Sequence, residues 1–474
     1  MRENIKTDAM LKMSYQDVLD ALREGKLEES RHALDELGMT IETVDDYFHY
    51  LYLSIFYADS HKKIQRLEKL MQRGVASCER FRELVKKNHL HIRTDFTTYR
   101  DFMFPKYRSI CFLTSCNGFG WDPSSVHKGV NGSEEAVIYL ANSFSRNCYR
   151  VVVYNTVEED SAFGYSFTNP QYLPIQNVGE CVDKFDIVVV WRFYSHLEVA
   201  NKIVKEDGRI YFWPHDNLTS KEQVEPCIDM FHKYLFLSKY QRAQYAGIYQ
   251  ETDNKDYLMI GNGIQHEPLT VLNKKRLSFI YSSNYGRGLS HALNLWPKIR
   301  NRFPEATLDV YYGRQTWCTW PDTLVNDVVL KMHSLRHMGV IEHGQVGHGE
   351  LDKAFEKASF MLYPCDFYET FCITAVKAQS KGCVVLTTPL AALNETVITD
   401  TKMTLNDFYS PKIIETISHY DSLYGTRELF EKLKETSDSI GERWTWDVIA
   451  SKIISDCTDD HDDYAQGIVN MTES

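Results

Sequence analysis

Residues 358–388, ASFMLYPCDFYETFCITAVKAQSKGCVVLTT, are the stretch of the chain that decides its fold. An apolar run that predicts a strand ends at Tyr363, a short loop presents Glu369, and a helix is predicted over Phe371–Ser380. Gly382 ends this helix, and a second apolar run follows at once. A buried strand, a helix and another buried strand indicate parallel pairing, and the helix N-terminus between them favours an anion.

The same alternation extends in both directions from this stretch. From about residue 107, short runs rich in Val, Ile and Tyr alternate with helical patterns, and the series restarts at LSFIYSS, residues 277–283. Short apolar runs separated by helices are typical of strands buried on both faces of a parallel sheet. We therefore predict two α/β domains with a cleft between the carboxyl ends of their sheets, where such folds bind ligands. KKRL, residues 274–277, is the predicted linker.

Residues 1–100 carry a different pattern. In SYQDVLDALREGKLEESRHALDEL, residues 14–37, apolar side chains recur at three- and four-residue spacings, which predicts helices. Ser14 is a candidate N-cap and Gly25 a candidate end of the first helix. We expect an all-α N-terminal region that mediates protein contact or oligomerisation.

Length and charge exclude some classes of protein. At about 100–200 residues per domain, 474 residues correspond to two or three domains. The chain has 53 Lys+Arg against 65 Asp+Glu, a net charge of −12. A protein that binds mainly nucleic-acid phosphates normally carries a basic surplus, so nucleic acid is not the expected partner.

Cysteine usage and hydropathy predict the compartment. The 11 cysteines form no CxxC pair, which argues against a disulfide framework or a zinc ribbon. The N-terminus lacks the apolar segment of a signal peptide, and no run approaches the roughly 18 apolar residues of a membrane span. We expect a cytoplasmic protein without a transmembrane segment.

Three further segments bring candidate side chains toward the predicted cleft. In GVNGSEEAV, glycines allow the backbone to approach a phosphate and Ser133 can cap the following helix, although a plain helix cap remains an alternative. In IYFWPHDN, His215 ends a strand and either enters the cleft or is structural. Asp216 is either a helix cap or the group that fixes the imidazole tautomer. In YSSNYGRGL, Arg287 lies between two glycines, where a guanidinium suits a diphosphate.

In this order, the segments resemble a GT-B glycosyltransferase of glycosyltransferase family 4, over roughly residues 107–455. WDPSSVHKGVNGSEEAVIYLA resembles its glycine-rich loop and helix, PHD its strand-end histidine, and GNGI its Asn-Gly turn. YSSNYGRGL resembles the start of its donor domain, and YPCDFYETFCITAVKAQSKGCVVLTT its Glu-x7-Glu region. ERWTWDVIASKI resembles its closing helix, which crosses back to the first domain.

The resemblance implies the GT-B architecture, with two Rossmann-like domains that face a cleft, here preceded by the all-α N-terminal region. The implied domains are the helical region 1–100, an acceptor-side domain 101–273 joined by the C-terminal helix 443–457, and a nucleotide-sugar donor domain 274–442.

The implied activity is transfer of a sugar from a nucleotide diphosphate sugar, UDP- or GDP-linked, with retention of anomeric configuration and without a metal or another cofactor. The acceptor is a glycan, a lipid, a protein or a small molecule. Glu369 would hold sugar hydroxyls, His215 would contact the donor sugar, and Arg287 would meet the charge of the leaving diphosphate. The other expected donor-binding residues are Gly132, Ser133, Ser283, Gly286, Tyr363, Phe371, Cys372 and Lys377.

Two positions depart from the family pattern. Lys377 stands where the family has its second, ribose-binding glutamate, and the uncharged Ser282 stands near the first member of its basic pair. We expect Lys377, Arg287 and His215 to make the cleft locally basic for an anionic donor. Two alternatives remain: a catalytically weak GT-B domain that acts as a binding or scaffold subunit, and a glycosyltransferase that acts on modified DNA.

Overall fold

The computed structural model describes residues 108–114, 120–147, 149–157, 169–220, 229–248, 256–313 and 322–458, without the side chains of 322–325 and 458. The predicted N-terminal helical region, 1–100, lies outside the described residues.

The described strands form two sheets in which every pairing is parallel. The first sheet has seven described strands in the order β3-β2-β1-β4-β5-β6-β7. They are β1 Ser109–Leu113, β2 Arg150–Asn155, β3 Gln171–Pro174, β4 Phe185–Trp191, β5 Val204–Trp213, β6 Lys233–Phe236 and β7 Tyr257–Met259. The second sheet has five, in the order β10-β9-β8-β11-β12. They are β8 Lys275–Ser282, β9 Thr307–Tyr311, β10 Val340–Gly344, β11 Ala358–Tyr363 and β12 Val384–Thr387.

Helices connect and cover these strands. In the first domain, which carries β1–β7, the described helices are α1 Gly132–Arg146, α2 Leu197–Ile203 and α3 Lys239–Ile248. In the second domain, which carries β8–β12, they are α4 Leu289–Arg302, α5 Asp322–Ser334, α6 His348–Lys357, α7 Ile373–Ser380, α8 Leu393–Thr396, α9 Leu405–Tyr409, α10 Lys412–Ser422 and α11 Arg427–Arg443. The last described helix is α12 Trp446–Thr458. None of the described helices is long and apolar enough to cross a membrane.

The central strand β1 shows why the chain forms these sheets. All five of its residues are buried. Ile110 and Phe112 pack into the core on one face of the sheet, and Cys111 and Leu113 into the core on the other. A continuous apolar run therefore fits a strand covered on both sides. The prediction of two parallel α/β domains is confirmed.

The final helix packs on the first domain although it follows the second in sequence. Trp446 is buried in the first-domain core and stacks on Tyr139 with ring centroids 6.3 Å apart. Arg146 bonds Asp447 at 2.6 Å. Gly263 allows the fit, because a Cβ there would lie only 2.5 Å from the Trp446 indole. The end of the described chain thus ties the two domains together.

The predicted linker KKRL is wrong. Residues 275–277 belong to β8, and Lys275 pairs with Ala358 of β11. The Lys274 ammonium donates to the carbonyl oxygens of Phe355 at 2.8 Å and Lys381 at 2.6 Å. Charged side chains resemble a linker in sequence, but here they begin a strand. The irregular connection is residues 260–274. The predicted domain limits stay a prediction.

Candidate active site

A cleft of about 340 Å³ lies between the two domains, at the carboxyl ends of both sheets. Its volume falls in the range of about 300–1,000 Å³ that is usual for ligand sites. In each sheet the strand order reverses direction next to the first strand, β1 or β8, and ligands bind at such points in open parallel sheets. The cleft is therefore the candidate site.

A larger hollow of about 490 Å³ lies elsewhere, on the second domain. It is lined by Leu277, Ser359 and Val384, which stand at the amino ends of β8, β11 and β12. Ligands of parallel α/β folds bind at the opposite, carboxyl end. Volume alone does not make this hollow the active site.

The structure brings most of the predicted site residues to the cleft. Those that line it are Gly132, Ser133, His215, Ser283, Arg287, Glu369, Phe371, Cys372 and Lys377. Tyr363 and Gly286 are not among the lining residues. Tyr363 is fully buried beneath Glu369, and the Gly286 N–H donates to the side-chain oxygen of Asn284 at 2.9 Å. The roles of all these residues stay predictions.

Arg287, Glu369 and Tyr363 form a connected group in the cleft. Nη1 of Arg287 is 3.0 Å from each carboxylate oxygen of Glu369, and the Tyr363 hydroxyl donates to Oε1 at 2.6 Å. The Glu369 side chain is 5% exposed, whereas that of Arg287 is 37% exposed. Burial and the Glu369 charge raise the pKa of Tyr363, so its hydroxyl remains a donor. Burial lowers the pKa of the Arg287 guanidinium, but Glu369 and the neighbouring Tyr363, Tyr312 and Cys372 together raise it by more.

A glycine holds this group together. Gly288 has a φ of +99°, and a Cβ there would lie 2.2 Å from the carbonyl oxygen of Pro364. Only glycine fits both the left-handed backbone and the close approach. The turn that carries Arg287 therefore rests directly on the loop that leads from β11 to Glu369.

The N-terminus of α7 also faces the cleft. The helix begins at Ile373, two residues later than predicted, because Cys372 precedes it in a left-handed conformation with φ 69°. Burial and Glu369 raise the pKa of the Cys372 thiol, so this cysteine stays protonated. Two other non-glycine residues with positive φ, Arg192 and Tyr312, line the same cleft. Such backbone strain concentrates at functional sites.

His215 presents a neutral imidazole to the cleft. Its ring centroid lies 4.5 Å from that of Trp213 and 5.7 Å from that of Trp191. Burial, and then the charge of Arg192, lower its pKa well below the ordinary value. Its Nε2 has no hydrogen-bond partner among the described residues. Its backbone carbonyl accepts from Thr370 at 3.0 Å, which joins the two domains.

Asp216 takes neither role considered for it in the sequence. It binds Arg192 through two hydrogen bonds, Nε to Oδ2 at 2.7 Å and Nη2 to Oδ1 at 2.9 Å, instead of orienting His215. Sequence reasoning missed Arg192. Its position directly after the buried strand β4 could have identified it, since such positions face the cleft.

Lys377 is bound to a carboxylate of the other domain. Its Nζ lies 2.5 Å from Oε1 of Glu135, and Nδ1 of His348 lies 3.5 Å from the same oxygen. The prediction of a locally basic cleft is therefore wrong: each cation among the charged lining residues is paired with a carboxylate. The pairs are Arg192–Asp216, Arg287–Glu369 and Lys377–Glu135.

Ser133 does not cap α1. The helix begins at Gly132, two residues earlier than a Ser133 cap requires, and its N-cap is Asn131, whose carbonyl accepts from the N–H of Glu135 at 2.9 Å. The Ser133 hydroxyl donates to Glu134 instead, at 2.8 Å. A Cβ on Gly132 would lie 3.4 Å from the Ile373 side chain, so the N-terminus of α1 lies close to that of α7. Each helix dipole favours an anion at its own N-terminus.

The described residues contain no group of three or more His, Cys, Asp or Glu side chains arranged to hold a metal ion. What the arrangement offers a ligand is a guanidinium, two helix N-termini, a buried carboxylate and a neutral imidazole. These groups suit an anionic ligand that also carries hydroxyls.

No protein-family model and no curated protein sequence matches this chain. Solved structures do match it. A glycosyltransferase from Rickettsia africae ESF-5 is 11% identical, with a TM-score of 0.59 over 76% of this chain and 100% of that one. The pneumococcal O-GlcNAc transferase GtfA, in complex with UDP and GlcNAc, is 11% identical, with a TM-score of 0.55 over 75% and 100%. Sucrose-phosphate synthase from Thermosynechococcus elongatus is 13% identical, with a TM-score of 0.53 over 73% and 97%. By this structural similarity, the chain has the GT-B fold of glycosyltransferases.

Proposed function

We propose that the protein transfers a sugar from a nucleoside diphosphate sugar, UDP- or GDP-linked, to a hydroxyl-bearing acceptor. One observation carries the proposal: the partly exposed guanidinium of Arg287 stands beside the buried carboxylate of Glu369, where the N-terminus of α7 meets the cleft. A cation and free helix N–H groups suit a diphosphate, and a fixed carboxylate suits sugar hydroxyls.

The diphosphate would bind Arg287 through the edge of the guanidinium that Glu369 leaves available. Only Nη1 bonds Glu369, and Nε and Nη2 bond no described residue. Two parallel N–H donors match two phosphate oxygens. When the anomeric C–O bond breaks, charge grows on the leaving phosphate oxygen, and these donors, together with the N–H groups of α7, stabilise it. The charge is met by groups of the chain, so we propose that transfer needs no metal.

Glu369 would orient the donor sugar. Arg287 and Tyr363 hold its carboxylate in one position, and lone pairs remain to accept hydrogen bonds from hydroxyls. His215, neutral and with a free Nε2, would bond a further hydroxyl of the same sugar. The pneumococcal O-GlcNAc transferase GtfA, which is similar in fold, was solved in complex with UDP and GlcNAc, a nucleoside diphosphate and a sugar.

We propose retention of the anomeric configuration. Each of the carboxylates among the charged lining residues is bound to a cation, so the described part of the cleft offers no unpaired carboxylate as a base for the acceptor proton. The proton of the acceptor hydroxyl would pass to the leaving phosphate oxygen as the acceptor oxygen bonds the anomeric carbon. Attack and departure then take place on one face of the sugar. The products are a glycoside and a nucleoside diphosphate.

Turnover tests this function. We expect nucleoside diphosphate release from UDP-glucose, UDP-GlcNAc or GDP-mannose in the presence of acceptor, unchanged by EDTA, with a retained anomeric configuration by NMR. Glu369→Gln is expected to lower kcat/KM about 100-fold. The matched control is Glu356→Gln, which removes a carboxylate paired with Lys381 at 3.0 Å outside the cleft. Product of inverted configuration, with activity abolished by His215→Ala, would instead assign His215 as a general base.

A second candidate is a binding or scaffold subunit with little catalysis. The bond between Lys377 and Glu135 favours it, because this lysine is already neutralised and adds no free charge for a nucleotide. Tight donor binding without product release, at any acceptor concentration, would support that candidate.

The cellular location of the protein is also a proposal. The six cysteines that the structure describes are free thiols. Free thiols fit a reducing compartment, so we propose the cytoplasm as its location. A glycan, a lipid, a protein and a small molecule all remain acceptor classes for the general proposal, and protein contact through residues 1–100 remains a prediction.

A further inference from the structure

The wall of the cleft that belongs to the first domain carries an ion pair between Arg192 and Asp216. Arg192 and Asp216 share two hydrogen bonds of 2.7 and 2.9 Å, and the Glu134 carboxylate lies 3.6 Å from the same guanidinium. The side chain of Asp216 is 51% exposed, whereas that of Arg192 is 16% exposed. The wall therefore presents a fixed carboxylate to the cleft, with the guanidinium behind it.

Beside this pair, the cleft holds buried polar atoms that have no hydrogen-bond partner among the described residues. Within the described residues, Nε2 of His215, Oδ1 of Asn217 and Oδ1 of Asn262 have no hydrogen-bond partner, and all three side chains line the cleft. The Asn217 amide has a defined orientation, because its Nδ2 donates to the carbonyl oxygen of Tyr368 at 2.7 Å. Buried polar atoms are costly to leave unpaired, so these atoms call for a ligand with hydroxyl donors.

The charge around Asp216 is negative. The Arg192 guanidinium contacts two carboxylates, Asp216 at 2.7 Å and Glu134 at 3.6 Å. An anion beside Asp216 is therefore repelled.

We propose that Arg192, Asp216 and Asn217 form an acceptor subsite that takes an uncharged saccharide and rejects anionic sugars. This inference rests on the proposed glycosyl transfer. Asp216 accepts hydrogen bonds from acceptor hydroxyls through the lone pairs that Arg192 does not use, and Asn217 accepts another. Because Asp216 occupies the paired edge of the guanidinium, Arg192 cannot offer that edge to a phosphate or a carboxylate. Its role is to position Asp216.

Two probes that differ in one charge test the subsite. p-Nitrophenyl β-D-glucoside and p-nitrophenyl β-D-glucuronide differ only in the carboxylate at C6, and each is supplied as acceptor with a panel of nucleotide sugars. For the wild-type protein, we expect the KM of the glucoside to be about tenfold or more below that of the glucuronide. Asp216→Asn removes the fixed charge and should raise the KM of the glucoside and lower that of the glucuronide.

A matched control is Asp421→Asn, because Asp421 forms a similar two-bond pair with Arg276, at 2.7 and 2.8 Å, outside the cleft. It should leave both acceptor KM values unchanged. If Asp216→Asn does not fold, Arg192→Lys gives the same readout, since a lysine keeps the charge but cannot hold both carboxylate oxygens. It should raise the KM of the glucoside.

The outcomes separate this inference from the proposed function. If the wild-type protein neither binds nor consumes any nucleotide sugar, the proposed function fails. If it hydrolyses a nucleotide sugar but uses both probes with equal KM, only the subsite inference is overturned. The same holds if it hydrolyses the donor yet glycosylates no neutral member of a panel of p-nitrophenyl glycosides.

Discussion

Lowering the pH should destabilise the protein through His215. Burial and the nearby Arg192 charge hold the pKa of His215 well below its ordinary value of 6.5. Below pH 6.5 the unfolded chain gains a proton at this position and the folded chain does not, so the free energy of unfolding falls as the pH falls. A tenfold change in proton concentration corresponds to about 1.36 kcal/mol. At pH 5.5 the loss is therefore about 1 kcal/mol, and at pH 7.5 it is close to zero.

The variant His215→Gln removes this titration. Urea unfolding followed by tryptophan fluorescence suits the comparison, because Trp213 and Trp191 pack against His215. Between pH 7.5 and 5.5, the wild-type protein should lose about 1 kcal/mol more of its free energy of unfolding than the variant. His337→Gln, at an exposed position, is the control and should behave as wild type. Equal losses in wild type and His215→Gln would show that the imidazole is protonated in the folded state and would refute the neutral His215 described above.

Three further changes test the packing around the cleft, each by urea unfolding. Gly288→Ala should cost about 1–3 kcal/mol and raise the donor KM, since the new methyl group meets a carbonyl 2.2 Å away; unchanged stability would contradict the close approach. Lys377→Met should lower the free energy of unfolding by about 3–5 kcal/mol, because it leaves the Glu135 carboxylate buried and unpaired. The double variant with Glu135→Leu should recover most of this loss. Unchanged stability of the single variant would contradict the buried ion pair. Trp446→Ala should lower the free energy of unfolding by about 3–5 kcal/mol, because this side chain is buried in the core. Asp447→Ala, which removes an exposed ion pair, should lower it by under about 1 kcal/mol. Equal losses would contradict the claim that α12 is held mainly by its core packing.

The fold could be predicted from the sequence because its signal is local. Each strand of the two parallel sheets is a short apolar run followed by a helical pattern, as in β11, α7 and β12. The positions of Glu369 and Arg287 followed from the same logic, since each stands just beyond a strand that ends at the cleft. A glycine beside Arg287 added a second local signal.

The charge partners in the cleft could not be predicted because they join distant parts of the chain. Lys377 and Glu135 are 242 residues apart in sequence, and nothing near either residue signals the other. Asp216 pairs with Arg192, a residue outside the predicted motifs, and therefore does not bond the imidazole of His215. The sequence shows the cations of the cleft but not their partners, so it predicted a basic cleft. The fold places a carboxylate against each of these cations.

The strained and irregular positions were also hidden from the sequence. A left-handed residue at a helix N-cap is unusual for cysteine, so the start of α7 was placed two residues too early, before Cys372. The run KKRL resembled a linker because it is charged. In the fold, the Lys274 ammonium donates to two backbone carbonyl oxygens, which no local pattern indicates.

Donor binding is the measurement that tests the central claim most directly. Isothermal titration calorimetry, with UDP-, GDP-, ADP- and dTDP-sugars as the panel, should show binding of at least one by the wild-type protein. Arg287→Ala should weaken that binding at least about 100-fold, because two charge-assisted hydrogen bonds of about 1.5–3 kcal/mol each are lost. Arg276→Ala, which breaks an ion pair outside the cleft, should bind as wild type does. Failure of the wild-type protein to bind any member of the panel, or equal binding by Arg287→Ala, would contradict a nucleotide-sugar site at Arg287.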